Sequence, residues 1–207
     1  MEVLIVSKTY MASAFCVGGL VLENDRYVRL LNKGGVNQPL YAEPGFEIGD
    51  IWDIDFADGA ILHPPHIEDV IVSNRTFVRK IADMSGFLTL RRLIDWSGHI
   101  DNVFDGLLNW KSSGTGYISA AGNLPSKSVG FWIADKDLFR DDFKGKKRFK
   151  FPNGTSRNIS YVGTQKAVVR IPAGTIIRVY LSKLFPAEDS KLTLPRGYYL
   201  QLSGWYL

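Results

Sequence analysis

The sequence predicts a mainly β protein made of two successive sets of short strands. Runs of alternating apolar and polar residues recur along the chain, and turn signals separate them about every 8–12 residues, a pattern typical of barrels and sandwiches. A polar, Gly- and Ser-rich stretch, Lys111–Gly116, lies between the two sets and is the best candidate for a linker. We therefore expect one domain at 1–110 and a second at 111–207.

The first set contains five predicted strands. The apolar run at the N-terminus is followed by a Val- and Gly-rich run, and Glu23-Asn24-Asp25-Arg26 then marks a tight turn before a returning strand. In the fourth run, Trp52, Ile54 and Phe56 fall on one side of a strand. The predicted strands are Glu2–Ser7, Phe15–Leu22, Tyr27–Leu31, Ile51–Phe56 and Glu68–Ser73.

A short helical segment is predicted between the two sets of strands. Ser85 is a candidate N-cap for one helix and Asp101 for a second, because apolar residues follow each of them at helical spacing. These apolar residues are Phe87, Leu90, Leu93 and Ile94 in the first helix, and Phe104, Leu107 and Leu108 in the second.

Six further strands are predicted after the linker candidate. Asn153-Gly154 lies between two alternating runs and is the strongest hairpin signal in the chain. The predicted strands are Tyr117–Ala121, Val129–Ala134, Arg148–Phe151, Arg157–Val162, Ala167–Ile171 and Ile176–Leu181.

Composition indicates a soluble cytoplasmic protein. The apolar share of 45% and the 12 Phe, 9 Tyr and 5 Trp suffice for a buried core. A single cysteine, Cys16, forms no internal disulfide, which fits a reducing compartment. The apolar runs are too short for a signal peptide or a membrane helix.

Charge is distributed unevenly along the chain. Residues 1–139 carry 12 Lys and Arg against 17 Asp and Glu, whereas residues 140–207 carry 13 against 4. A strongly basic last third suggests a polyanionic partner, most commonly a phosphate backbone. The alternative is a solvated basic face without a ligand.

Several segments resemble a known family. The runs VLIVSKTYMASAFCVGGLVLENDRYVRLL, GDIWDIDF, PPHIEDV and LPSKSVGFWIADKDL are similar to those of bacterial and phage-associated proteins with dual OB-fold domains. The resemblance covers most of the first 140 residues. It implies two small OB-like β-barrels in tandem, a fold that commonly binds single-stranded nucleic acid or nucleotides, and the helical segment predicted above lies between them. It brings no catalytic residues that we can transfer.

The segment HPPHIEDV contains the residue types of a metal site. His63, His66, Glu68 and Asp69 offer nitrogen and oxygen ligands, so a metal-assisted phosphoesterase or nuclease is one hypothesis. The two prolines, however, favour extended backbone and place the imidazoles on no common helix face. The favoured interpretation is a stiff connection into the fifth strand, whose imidazoles form local hydrogen bonds or stack on a ligand and bind no metal.

Other catalytic patterns are absent from the sequence. Cys16 lies in an apolar strand, where a cysteine is usually an inert small hydrophobe. No serine lies in a GxSxG elbow, and Gly114-Thr115-Gly116 lacks the strand and helix of a dinucleotide site. We therefore expect no cofactor and favour a non-enzymatic protein.

The basic run KRFKFPNGTSRNISYV is the stronger candidate for a binding site. In a strand, its two phenylalanines lie on one face and Arg148 and Lys150 on the other. Cations and aromatic rings together suit single-stranded nucleic acid, because cations neutralise phosphates and rings stack on bases. The alternative is that Phe149 and Phe151 are core residues while Lys146, Lys147 and Lys150 protect an edge strand from aggregation.

Two other pairs of residues are candidate ligand contacts. Lys127 lies in a polar loop before the aromatic strand that contains Trp132, so the pair offers a cation and a ring; the alternative is a turn before a core strand. Arg26 and Arg29 are three residues apart in a strand and point to opposite faces, so at most one of them binds a given ligand.

The sequence thus favours a binding module for single-stranded nucleic acid or a nucleotide. The competing hypotheses are the metal-assisted enzyme and an adaptor that binds a protein partner through its acidic N-terminal part. The candidate ligand-binding residues are Arg26, Arg29, His63, His66, Lys127, Trp132, Lys147, Arg148 and Lys150.

Overall fold

The computed structural model describes residues 1–11, 14–39, 45–59, 62–152, 157–186 and 195–207. The chain divides into two compact units, Met1–Leu93 and Ile94–Leu207. The expected boundary after residue 110 stays a prediction about independently folding domains.

Within its described residues, the first unit contains six strands and one helix. In chain order these are β1 (Glu2–Met11), β2 (Ala14–Val21), β3 (Tyr27–Leu31), β4 (Gln38–Pro39), β5 (Asp50–Asp58), β6 (Asp69–Lys80) and α1 (Met84–Leu90). All five strands predicted from the sequence are present, and β4 is an addition.

Five of these strands close into a barrel. The pairing runs β1-β5-β6-β3-β2 and returns to β1, which pairs with both β2 and β5. β3 and β6 are parallel, and the other neighbours are antiparallel. The barrel interior is apolar, and Trp52 and Ile54 point into it as the alternation of their strand predicts.

Both predicted helix caps are wrong. α1 is capped by Asp83, whose carboxylate accepts the Gly86 N–H at 2.7 Å, and Ser85 lies inside the helix. The second predicted helix is a 3₁₀ segment, Ile100–Gly106, and its cap is His99 with Nδ1 accepting the Asp101 N–H. Caps are misassigned easily because Ser and Asp occur at several neighbouring positions.

The first strand of the second unit precedes this 3₁₀ segment, and the part of the unit that the structure describes contains ten strands. They are β7 (Trp96–Gly98), β8 (Asn109–Trp110), β9 (Gly116–Ser119), β10 (Val129–Ala134), β11 (Leu138–Arg140), β12 (Arg148–Phe151), β13 (Arg157–Tyr161), β14 (Arg170–Ile171), β15 (Ile176–Leu181) and β16 (Gly197–Tyr206).

The large sheet of the second unit repeats the strand order of the first barrel. Its path runs β11-β12-β13-β16-β15-β10, with β13 and β16 parallel. Only residues 135–137 separate β10 from β11, so one bent stretch of chain pairs with β15 through its first half and with β12 through its second. This stretch corresponds to β1 of the first unit. β14 extends the sheet beyond β11.

The stretch expected to be a linker is a hairpin loop of the second unit. Lys111 N–H donates to Thr115 O at 3.0 Å and Gly114 N–H donates to Lys111 O at 2.8 Å, which closes the turn between β8 and β9. Asn158 of β13 fixes the loop, since its backbone N–H donates to Gly114 O and its side-chain amide donates to Ser113 O.

The core of the second unit includes a strand that the sequence did not predict. β16 contributes Leu200, Leu202 and Trp205 to the core and pairs with three other strands. Its Gly and Ser residues lower its apparent strand propensity, and so it was missed. The predicted strand Ala167–Ile171 is reduced to the two residues of β14.

Within the described ranges, no helix is both long and apolar enough to cross a bilayer.

Candidate nucleic-acid interface

The basic hairpin, formed by β12 and β13, has an apolar inner face and a cationic outer face. β12 and β13 pair antiparallel, with Phe151 opposite Arg157, and the predicted turn at Asn153-Gly154 lies outside the described residues. Phe149 and Phe151 are fully buried core residues. Phe149 and Phe151 are therefore not ligand contacts. Because side chains alternate along the strand, those of Arg148 and Lys150 point outward.

Other phenylalanines supply exposed rings beside these cations. Phe139 in β11 lies opposite Lys150 in β12 on one side and opposite Arg170 in β14 on the other. Residues opposite one another in a sheet point to the same face. Arg170, Phe139 and Lys150 therefore form a cross-strand row, here called the outer row, in which Phe139 is 46% exposed.

A basic loop, residues 141–147, joins β11 to β12 next to the outer row. Phe143 and Lys146 exchange two backbone hydrogen bonds of 3.0 Å, so the loop is a tight turn. The ring of Phe143 is 52% exposed, and the guanidinium carbon of Arg148 lies 4.6 Å from its centroid. The loop thus adds a second exposed ring, held in place by a cation–π contact.

Three aspartates partly neutralise the arginines of this surface. Their ion pairs are Asp137–Arg170 at 2.7 Å, Asp141–Arg148 at 2.6 Å and Asp142–Arg140 at 2.5 Å. The hydrogen bond from Arg140 lowers the pKa of Asp142, and those from Ala173 N–H and Arg170 lower the pKa of Asp137. Both carboxylates are therefore charged at neutral pH.

Unlike the arginines, three lysines of this surface form no ion pair among the described residues and are accessible to a ligand. Lys146, Lys147 and Lys150 are exposed, and none forms an ion pair within the described part of the chain. Between Asp142 and Glu188 the sequence contains ten Lys and Arg and no Asp or Glu. The positive potential of this face therefore has few local counter-charges.

Lys127 and Trp132 do not form a joint ligand site. The ammonium of Lys127 binds the Asp95 carboxylate and lies 5.7 Å from the Trp96 ring. Trp132 is fully buried, and its indole N–H donates to Gly98 O at 3.0 Å. The expectation of base stacking on Trp132 is corrected, because β10 is covered on both faces and the indole belongs to the core.

The two arginines of the first unit are paired with carboxylates. Arg26 lies just before β3 and binds Asp58 at 2.6 Å. Arg29 in β3 makes a bidentate pair with Asp69. Burial lowers the pKa of Arg29, but the hydrogen bonds to Asp69 and the charges of Asp69 and Glu68 outweigh it and raise the pKa. The charge of each arginine is thus compensated locally.

The HPPH segment is a tight turn between β5 and β6. His66 N–H donates to His63 O at 2.8 Å, and the Pro64–Pro65 peptide is cis. Asp69 is engaged by Arg29, and the buried Glu68 carboxylate accepts the Ile67 N–H. Among the described residues no three His, Cys, Asp or Glu side chains gather as a metal site would require. The described residues therefore provide no set of metal ligands for the hypothesis of a metal-assisted enzyme.

Sequence reasoning missed the exposed aromatic residues of the interface. Phe139 and Arg170 lie in strands of three and two residues, and Phe143 lies in a loop, so none of them belongs to a recognisable alternation. A usable signal was the long acid-free segment, which begins directly after Asp142 and includes the rest of the basic loop and β12.

The strand order and the position of this surface define an OB-type barrel protein. In such barrels the first three strands and the last two close with a parallel contact between the third and the fifth, as β13 and β16 do here. Ligands bind on the face of the second and third strands and on neighbouring loops, including the one between the first and second strands. In the second unit these positions are β12, β13 and the basic loop.

The chain belongs to the family of dual OB-containing domain proteins, whose family model matches residues 1–205. No curated protein matches it in sequence. Similar solved structures include the crystal structure of a HINb domain, which is 13% identical with a TM-score of 0.34 and covers 98% of this chain and 95% of that one. Another is a murine DNA-binding protein bound with double-stranded DNA, 9% identical with a TM-score of 0.31, covering 98% and 97%. These two similarities are too weak to support an argument.

Proposed function

We propose that this protein is a non-enzymatic binding module for single-stranded nucleic acid and that the second unit is its binding unit. The single observation that carries the proposal is the outer row, in which an exposed ring lies in cross-strand register between Lys150 and Arg170, the latter ion-paired with Asp137. Rings that stack on bases, with cations beside them that neutralise phosphates, are what sequence-tolerant single-strand binding requires.

Two further features support the proposal. Lys150 of the outer row, in β12, and the basic loop occupy positions at which OB-type barrels bind oligonucleotides, and Phe139 lies beside Lys150 in β11. The second unit also carries 16 Lys and Arg against 9 Asp and Glu, whereas the first carries 9 against 12. Electrostatic attraction to a phosphate backbone is therefore concentrated in the second unit.

The test is fluorescence anisotropy with labelled single-stranded DNA, single-stranded RNA and duplex DNA of equal length. We expect the single strands to bind more tightly than the duplex, because bases in a duplex are already stacked. Binding should weaken steeply as salt rises from about 50 to 200 mM, since counterions are released from the backbone.

Other results point to the competing hypotheses. If the affinity for oligonucleotides does not change with salt and a mononucleotide binds tightly, the ligand is a small nucleotide and not a nucleic-acid strand. If no nucleic acid or nucleotide binds at low salt, the proposal fails and the protein-binding adaptor becomes the leading hypothesis.

A further inference from the structure

A second aromatic cluster lies on β9 and β16 of the second unit. The rings of Tyr117 and Tyr199 are stacked, with centroids 5.7 Å apart and an interplanar angle of 28°. Phe185 meets Tyr199 edge to face at 6.0 Å and is 44% exposed. We call these three residues the tyrosine platform. Neither the sequence motifs nor the outer row includes them.

The platform is held rigidly by the backbone. Tyr117 and Tyr199 are opposite each other in the β9–β16 ladder. Phe185 and Gly197 exchange two backbone hydrogen bonds of 3.0 and 2.9 Å. The Tyr199 hydroxyl donates to Pro195 O at 2.7 Å, and burial raises the pKa of this phenol, so it keeps its proton. A ligand that binds here meets rings whose positions are already fixed, which reduces the entropy lost on binding.

The register places the platform on the same sheet face as Arg148 of the basic surface. Arg148 is opposite Ser160, and Ser160 is opposite Gln201. Tyr199 lies two residues before Gln201 in β16 and therefore points to the same face. Tyr117, opposite Tyr199, shares this face as well. Leu200 and Leu202, which alternate with these residues, point into the core.

The charge around the platform is also suited to phosphate. The ammonium of Lys111 lies 5.9 Å from the centroid of the Tyr199 ring. The sequence contains no Asp or Glu from residue 106 to 134 or from residue 190 to 207, and these stretches include both strands of the platform. An anionic strand that passes over the platform thus meets no carboxylate from either segment.

We infer that the tyrosine platform is a second base-stacking site for the same single strand, which crosses the sheet from the outer row on β11 to β16. The inference rests on the proposed function. At least three interstrand spacings, about 14 Å, separate the two sites. One strand therefore has to be several nucleotides long to engage both, which agrees with the ~4–16 nucleotides that OB folds cover.

The experiment compares two 16-nucleotide probes, oligo-dT and an abasic strand of the same length, by anisotropy with the full chain. The abasic strand keeps its phosphates and has no bases to stack. We expect Tyr199→Leu to weaken oligo-dT binding at least about fivefold and to leave the affinity for the abasic strand unchanged. Tyr199→Phe keeps the ring and should bind oligo-dT like the natural chain. Phe185→Ala, at a more exposed position, serves as the second variant if Tyr199→Leu does not fold.

Each outcome has a defined meaning. If Tyr199→Leu and Phe185→Ala weaken both probes equally, the platform has a structural or electrostatic role and the inference is wrong. The inference is also wrong if oligo-dT binding is unchanged in both variants while Phe139→Ala weakens it, and in that case the proposed function stands. If the natural chain binds neither probe, both proposals fall together.

Discussion

At the scale of single residues, neighbouring strands use the same residue type for opposite purposes. Phe149 in β12 is fully buried, whereas Phe139 in the adjacent β11 is 46% exposed between two cations. Nearly half of the Phe139 surface remains in contact with solvent, so its burial contributes less to stability than that of Phe149. This exposure leaves the Phe139 ring accessible to a ligand.

Replacing Phe139 with Ala should weaken binding of single-stranded DNA by about 1–3 kcal/mol, because a base loses its stacking partner. Anisotropy titration measures the change, and Phe139→Trp, which retains a stacking surface, is the matched control. Unchanged affinity of Phe139→Ala, with the thermal midpoint also unchanged, would remove the outer row from the interface.

Replacing Asp142 with Asn should strengthen binding. The carboxylate of Asp142 holds Arg140 and repels phosphate, and its lowered pKa keeps it charged at neutral pH. We expect a severalfold gain in affinity at low salt that shrinks as salt screens the charge. Asp53→Asn, at an exposed carboxylate of the first unit, is the control and should leave affinity unchanged.

At the scale of elements, the side chains of β12 alternate between core residues on its inner face and candidate binding residues on its outer face. Phe149 and Phe151 fill the core, and Arg148 and Lys150 point outward from the same four-residue strand. Substitutions on the two faces should therefore have separable effects.

On the inner face, Phe149→Ala should lower the free energy of unfolding by about 3–5 kcal/mol, since a fully buried ring is lost and a cavity remains. Chemical denaturation measures the change. The exposed Phe143→Ala serves for comparison and should shift the unfolding midpoint little. Equal destabilisation by the two variants would contradict this division of roles.

On the outer face, replacing Lys146, Lys147 and Lys150 together with Gln should flatten the salt dependence of binding. Each lost phosphate contact reduces the slope of log K against log salt by about 0.7 for a single strand, so the triple variant should lose about 2 units of slope. Lys33→Gln in the first unit is the control. A slope equal to that of the natural chain would show that these lysines do not contact phosphate.

Sequence patterns predicted some elements well and others not at all, for physical reasons. β10, β12 and β15 begin and end where expected, because apolar or alternating runs lie between clear turn signals. β16 was missed because its glycines and serine have low strand propensity, although the strand pairs along both edges. Trp132 was misjudged as a ligand contact, because a sequence cannot show that a strand is covered on both faces.

At the scale of the whole molecule, the two units share a strand order and differ in charge. The first unit is slightly acidic, and its candidate ligand residues Arg26 and Arg29 are already paired with Asp58 and Asp69. The second has 16 Lys and Arg against 9 Asp and Glu, and its exposed Lys146, Lys147 and Lys150 form no ion pair among the described residues. Nucleic-acid affinity should therefore come mainly from the second unit.

A direct test of this division uses two candidate ligand residues of the first unit, the partly buried Arg26 and the exposed His63. Arg26→Gln and His63→Ala should leave the affinity for single-stranded DNA within about twofold of the natural value, since both residues lie outside the surface proposed to bind it. Anisotropy at low salt measures this. A tenfold loss in either variant would extend the interface to the first barrel.

The place of β16 in the second barrel has a consequence for biosynthesis. This strand pairs with β9, β13 and β15, so the sheet lacks a central member until residues 197–206 have left the ribosome. The first barrel, by contrast, has all its strands once residue 80 has emerged. At about 5–20 residues per second, the cationic β12 has therefore left the ribosome seconds before the strand that completes its sheet.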